Sequence, residues 1–357
     1  MPYGDALYTV NIILGPVPGV AANLTDVLLL VAKATNPLTG RTQTFTSSTQ
    51  VATALAATQI SATTAAQLNY AFGQTSKRPK TIYVGYVDVV GLETYGAAYT
   101  IIKALIGNSF FFVCDQSDDK TQQESISVLI EAEDFLHFYI SQVHDVQWYG
   151  ATWPANYSLF EHREKTAVVW HETATSAQAL AYTASRGAWN PDTEKSASWM
   201  GDLGSVAAPA ALTGAQEGFL YTNKVNLGKA LGTSGNFVEY GLNCNGRSID
   251  HIVSAAWVRS ALRIQFAYLV QAYASRGDKL TVDAVGGNVC LSVGMGVCRR
   301  GVSLGHFQEY TDAQGNKYPA GSYTLDLVNK KITLTLTDYF ADQLREIVAN
   351  VYLNEAV

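Results

Sequence analysis

The stretch DQSDD, residues 115–119, places three carboxylates within five positions at the end of the apolar run FFFVCD. The carboxyl end of a buried strand is where α/β proteins build their sites, and Asp115, Asp118 and Asp119 carry the hard oxygen donors that a divalent cation takes. The same acids also fit a structural role. A helix starting near Thr121 needs an N-cap and gains from negative charge in its first turn, which accounts for all three without a metal. A second acidic group, EAED at 131–134, falls within a helical pattern.

Other chemistry-bearing residues do not converge. The basic turn TSKRPK, with Lys77, Arg78 and Lys80, precedes its strand, whereas a phosphate loop follows a strand and opens a helix. GMGVCRRG at 294–301 has GxGxxxxG spacing and falls within or near the end of a helix, so close helix packing explains it better than dinucleotide binding. His171, in HET at 171–173, lacks the second histidine of a helical zinc site, and the remaining histidines (137, 144, 162, 251, 306) are dispersed. There is no GxSxG elbow. Cys114, Cys244, Cys290 and Cys298 form no CxxC pair and read as small buried hydrophobes. No cofactor is expected.

Composition narrows the function classes. Only 15% of the 357 residues are charged while 48% are hydrophobic, against roughly 25% charged in an average soluble domain. Such a surface sheds water cheaply and suits extensive protein contacts, or equally a large compact monomer. A net charge of -6 with no run of five or more Lys/Arg argues against nucleic acid as a partner. ANLTDVLLLVAKA is interrupted by Asp26 and Lys33 and is too short to cross about 30 Å of hydrocarbon, so no direct membrane insertion is expected. The first residues lack a signal-peptide pattern, so synthesis in the cytosol is expected.

The elements that would position these residues follow from periodicity. Tyr8, Val10, Ile12 and Leu14 alternate as a strand, which GPVPG at 15–19 then separates from the rest. VLLLVAK (27–33), TIYVGYVDV (81–89), FFFVCD (110–115) and KTAVVWHET (165–173) are apolar strands, with helices predicted over 46–56, 61–74, around 92–107 and over 121–143. Continuous apolar strands alternating with helices argue for a layered α/β fold with at least partly parallel pairing. Residues 174–248 read as a loop-rich crossing. A long helix is predicted over 248–275, then a glycine-rich one from 281 to 301, a hairpin over 322–337 and a final amphipathic segment opened by Asp338.

The order of segments resembles the tail sheath proteins of contractile bacteriophages and related injection machines. YTVNIILGPVPGVAANLTDVLLLVA is similar to the sheath start, and AAQLNYAFGQTSKRPKTIYVGYV to a helix that ends ahead of a proline and a core strand. KTAVVWHETATSAQALAYTASRGAWNP resembles the later strand running into a small-residue helix, and ALTGAQEGFLYTNKVNLGKALG the segment before a glycine-flanked polar stretch. GLNCNGRSIDHIVSAAWVRSALRIQFAYLV resembles G-x-G-x-x-I/V-D before a Trp-containing helix, though Cys244 stands at the first glycine position and SAAW lacks the acidic residue that usually precedes the Trp.

The resemblance implies a minimal sheath: an α/β core of mixed sheets flanked by helices, with extended N- and C-terminal strand arms. The expected divisions are an arm at 1–20, a core at 21–320 of one subdomain or of two with a break near 150–250, and a C-terminal hairpin or arm at 321–357. It also implies a non-enzymatic subunit that stacks in six-membered rings around a tail tube. Its expected partners are itself, the tube protein, and baseplate and terminator proteins, in a virion tail assembled in the host cytoplasm. Val10, Ile12 and Leu14 would be a donated N-terminal strand. The C-terminal contributor is either the 331–337 strand, with Ile332, Leu334 and Leu336, or the tail VANVYLNEA, with Val351 and Leu353. Lys77, Arg78 and Lys80 are candidates for contacts with a neighbour's acidic surface. A helix at 250–275 or 338–350 would line the bore. The alternative is a metal-dependent α/β enzyme using loop 115–119.

Overall fold

The computed structural model describes residues 8–13, 24–33, 40–74, 77–107, 109–133, 137–144, 158–173, 176–196, 198–204, 206–231, 234–311, 314–328, 331–340 and 343–352. Of residues 8–13, 231, 234, 339–340 and 343–352 it describes the backbone alone. The chain divides into two compact units: residues 22–190 with 197–252, and residues 1–21 with 191–196 and 253–357. The first strand, β1 (Tyr8–Ile13), belongs to the second of these.

The larger unit is built on one mixed sheet. β2 (Val27–Ala32) pairs in parallel with both β4 (Ile82–Val87) and β5 (Phe112–Asp115), and β6 (Phe138–Val143), β7 (Thr166–Trp170) and β9 (Val225–Leu231) continue in parallel. β3 (Thr42–Phe45) runs antiparallel along β4, and β10 (Ser234–Val238) links β9 to the short β8 (Gly201–Asp202). The strand order is β3-β4-β2-β5-β6-β7-β9-β10-β8. Val27, Leu28, Leu29 and Leu30 are all fully buried, as an unbroken apolar run covered on both faces must be, each side chain contributing about 1.5–3 kcal/mol.

Helices cover both faces. α1 (Ser48–Ala56), α2 (Ala62–Phe72) and α3 (Tyr95–Ile106) start at Ser47, Ser61 and Thr94, whose hydroxyls each accept a first-turn N–H. α4 (Lys120–Ala132), α5 (Gln178–Gly187) and α6 (Gly214–Thr222) complete the unit. Alternation along β5 separates the two layers. Phe112 and Cys114 meet α5 at Gly187 and Thr183, while Val113 joins the core formed with Tyr99, Ile102, Ile126, Ile130 and Leu220 of α3, α4 and α6.

Two predicted helices are corrected. The expected helix over 121–143 stops at Ala132, with Glu133 already extended, and residues 138–143 form β6 between β5 and β7. FYISQV is aromatic and β-branched, and the slot between two parallel strands claims it over the helical period. The segment after Asp338, expected to be helical, is strand to Phe340 and again over Gln343–Tyr352.

In the smaller unit, β15 (Lys331–Phe340) is the central strand. Along one side of it run β14 (Ala320–Asp326) and the short β11 (Phe307–Gln308), and along the other β16 (Gln343–Tyr352), which carries β1 in turn. β12 (Tyr310–Thr311) and β13 (Lys317–Tyr318) make a small separate ladder. The predicted 322–337 hairpin is present, with Tyr323 opposite Leu334 and Leu325 opposite Ile332. α7 (Ile249–Ser275) enters this unit from Val253 onward, followed by α8 (Ala284–Ser303).

Candidate assembly interface

β1 and β16 bring the two ends of the described chain together. They pair in parallel over six residues, with Val10 opposite Ala349 and Ile12 opposite Val351. Leu14 and Leu353 lie outside the described residues. Of the two C-terminal candidates, 331–337 is an internal strand, paired with β14 on one side and β16 on the other. Ile332, Leu334 and Leu336 are buried there at 0–2% exposure. The strand beside β1 is β16. A parallel pair with no short connection is held by backbone hydrogen bonds, each netting about 1 kcal/mol, and by side chains at alternate positions.

α8 supports this sheet through a glycine seam. Gly287 faces Tyr323, Gly294 faces Leu336, and Gly301 faces Phe307 and Trp257. The three glycines are seven residues apart, two helical turns, and therefore share one face. The GMGVCRRG stretch accordingly lies inside a helix as packing surface. Beside it, His306 donates from Nε2 to the Pro191 carbonyl at 2.7 Å, accepts at Nδ1 from the Ser254 hydroxyl at 2.8 Å, and stacks on Trp257. The Trp257 indole N–H donates to Asp192 at 3.1 Å.

The acidic loop does not converge. The Asp119 carboxylate accepts from the Thr121 N–H at 2.8 Å and caps α4, while Asp118 is exposed. Asp115 turns instead into the core. Burial pushes its carboxyl up to about 7, opposed by the nearby Tyr139 phenol and the Ser117 N–H. Tyr139 approaches without reaching hydrogen-bonding geometry, so Asp115 Oδ1 and the phenol both lack a direct partner. Among the described residues no group of three His, Cys, Asp or Glu side chains is arranged to hold a metal.

In the basic turn, Lys77 Nζ sits 4.8 Å over the Trp189 ring, and Arg78 and Lys80 are exposed on either side of buried Pro79. His171 is structural: Nδ1 accepts from the Thr173 N–H at 3.0 Å, Nε2 donates to the Ala207 carbonyl at 3.3 Å, and burial lowers its pKa. All four cysteines are buried and reduced.

One cluster was not legible in the sequence. Glu133 accepts from the Tyr99 hydroxyl at 2.8 Å and pairs with Lys103 at 2.7 Å and His137 Nδ1 at 2.6 Å, while His137 stacks on Phe110. Its partners come from α3 and the residue just before β6, so only the i,i+4 spacing of Glu133 and His137 hinted at it. The cluster clamps the end of α4.

No protein-family model matches the chain, and no curated protein matches its sequence. Solved structures do. The sheath tail protein of Desulfitobacterium hafniense superposes with a TM-score of 0.64 over 96% of this chain and 99% of its own, at 12% identity. The chain has the fold of the tail sheath proteins. The sheath tail protein of Listeria innocua gives a TM-score of 0.63 at 9% identity, covering 94% of this chain and 96% of that one. The sheath complex of an extracellular contractile injection system, PVC, in its contracted state gives 0.63 at 10% identity over 94% and 91%. Coverage is nearly complete in both directions, so the sheath fold takes in both units, as the order of sequence segments implied.

Proposed function

We propose that this chain is the structural subunit of a contractile tail sheath, without catalytic activity. It polymerises as stacked six-membered rings around a tail tube and drives the tube through the host envelope on contraction. Its partners are further copies of itself, the tube protein, and the baseplate and terminator proteins. The observation that carries this reading, beside the sheath fold, is the terminal pairing of β1 with β16 at the outer side of the β15 sheet. Two strands from opposite ends of a chain, added to a sheet that α8 already supports, form a module that partners can exchange. The same ladder closes when the strands come from neighbouring copies. In this reading Val10, Ile12 and Leu14 belong to the donated N-terminal strand, and β16, with Val351, is the C-terminal one.

With 338–340 and 343–352 in strands, α7 is the remaining candidate for a helix lining the bore. Arg78 and Lys80, exposed beside Pro79, stand as contacts for an acidic neighbouring surface. The enzyme reading draws no support from loop 115–119, where Asp119 caps a helix and Asp115 points into the core.

Electron microscopy of the purified chain tests the proposal. Tubes or stacked rings are expected from the full chain, and a folded, non-polymerising monomer after deletion of residues 1–19. Normal tubes from the truncated chain would overturn the arm assignment.

A further inference from the structure

The outer face of α3 is built like an interior. Its exposed residues Ala97, Thr100, Ile101, Ala104 and Leu105 follow i, i+3, i+4, i+7, i+8 spacing and include no charge. The helix carries one ionic group, Lys103, which is spent on Glu133. Ile101 and Leu105 are 46% and 61% exposed. A helix on the surface of a soluble fold normally turns polar residues outward, and one that is apolar all round is covered.

The turn before α3 adds to this face. Val90 and Leu92 are 91% and 89% exposed. They are held rigidly, with Leu92 at φ +62°, the Gly91 N–H on Asp88, the Asp88 N–H on Glu93, and Arg41 on Glu93. A left-handed leucine is a strained conformation. Four polar groups thus hold the turn that carries two exposed aliphatic side chains.

The complementary surface lies on the same chain. α6 exposes Gly214, Ala215, Gly218, Phe219, Tyr221 and Thr222, again without charge, its Glu217 being paired with Lys229. Gly218 is interior to the helix, where glycine costs about 1 kcal/mol relative to alanine. Among the described residues, and apart from the helix's own backbone and the adjoining residues, nothing lies within 4 Å of where a β-carbon on Gly214 or Gly218 would stand. Two missing side chains one turn apart leave a groove beside Phe219, and the Ile101–Leu105 ridge, also one turn apart, has the matching spacing.

Strand order places the two surfaces at opposite ends of one layer. α3, α4 and α6 share the core on the same face of the sheet. Ile102 of α3 meets Gly85 of β4 and Leu220 of α6 lies with Val225 and Leu227 of β9, while α4 joins β6 between them. A patch at one end that fits a different patch at the other gives a head-to-tail contact, which generates a ring or a helical array.

We propose that the α3 face of one copy docks on the α6 face of the next, carrying the helical layer from subunit to subunit. This rests on the sheath-subunit reading and adds a second, side-chain interface to strand exchange. It is tested with two full-length variants, Ile101→Asp/Leu105→Asp and Gly218→Lys/Phe219→Lys. Every substituted position is exposed, so each variant should keep the wild-type circular dichroism spectrum. Each alone should raise the concentration needed for tube formation by about tenfold or more. An equimolar mixture should recover assembly, because acidic α3 faces then meet basic α6 faces while the unaltered pair mates as before. Wild-type assembly by either variant alone, or no recovery on mixing, would overturn the interface and leave the sheath reading standing. A wild-type chain that forms no oligomer at any concentration would overturn both.

Discussion

Gly294 of α8 faces Leu336 of β15 so closely that a β-carbon at position 294 would stand 3.0 Å from the leucine Cδ1. The contact is one of three along the helix, and it brings the α8 backbone down onto the strand beside β16. The seam thus determines where the β15 sheet sits on its supporting helix.

Filling the seam should therefore cost stability. Gly301→Val drives methyl groups into Phe307 and Trp257, and a loss of about 1–3 kcal/mol is expected by urea denaturation. Gly296 is on the same helix with open space where a β-carbon would stand. Gly296→Ala should stabilise by about 0.5–1 kcal/mol, as helix propensity alone dictates. Equal effects at the two positions would show that the seam does not bear on packing.

Asp115 sets a pH dependence of unusual sign. Its carboxyl is pushed up to about 7 by burial, while in the unfolded chain it titrates near about 3.9. Between those values the folded chain holds a proton that the unfolded chain has released. This contribution to stability is complete below about pH 4, falls as pH rises, and levels off above about 7. Asp26, pushed up to about 6 by burial, adds in the same direction. Asp115→Asn should remove part of the slope, gaining roughly 1–3 kcal/mol at pH 8 and little at pH 4. Thermal melts across pH 4–8 check this, and an unchanged slope would refute it.

Glu133 works in the opposite sense. Its hydrogen bonds from His137, Lys103 and Tyr99 outweigh burial and hold its pKa below the usual carboxylate range. Its stabilisation is present at neutral pH and lost as pH falls through that lowered value. Glu133→Gln should cost about 1–3 kcal/mol at pH 7, with the difference from wild type shrinking in acid. A constant deficit at all pH values would assign the loss to packing instead of charge.

The acidic loop has its own test. Asp119→Ala removes the α4 cap and should cost about 1 kcal/mol. Calorimetric titration of the full chain with Mg2+ or Ca2+ should show no saturable binding. Saturable heat that disappears in an Asp115→Asn/Asp118→Asn variant would revive the metal-enzyme reading.

Much of the architecture was legible before any coordinates. VLLLVAK could only be a strand covered on both faces, because a run of that length with no polar alternation has no side to turn to water. Asp119 and Ser61 announced helix starts, and the alternation of Tyr323, Leu325, Ile332 and Leu334 announced a hairpin. These signals are local: each depends on a handful of adjacent residues and the period at which their side chains repeat.

What escaped the sequence is decided by partners far along the chain. FYISQV and QLREIVANVY each fit a helical period, yet one fills a slot between β5 and β7 and the other the side of β15, and a strand's hydrogen bonds are made only with another strand. The Glu133 clamp gathers side chains from α3, the C-cap of α4 and the residue before β6, and the match between the α3 and α6 faces exists only once strand order puts them at opposite ends of a layer. The sequence by itself determined which segments are apolar, where helices begin, and that no phosphate loop or paired-histidine motif is present. The tertiary structure decided which strand lies beside which, that residues 331–337 are internal while β16 meets β1, and that Asp115 points inward. The reason is physical. Period and capping are properties of neighbouring residues, whereas pairing, burial and the convergence of charges belong to residues that meet only when the chain has closed on itself.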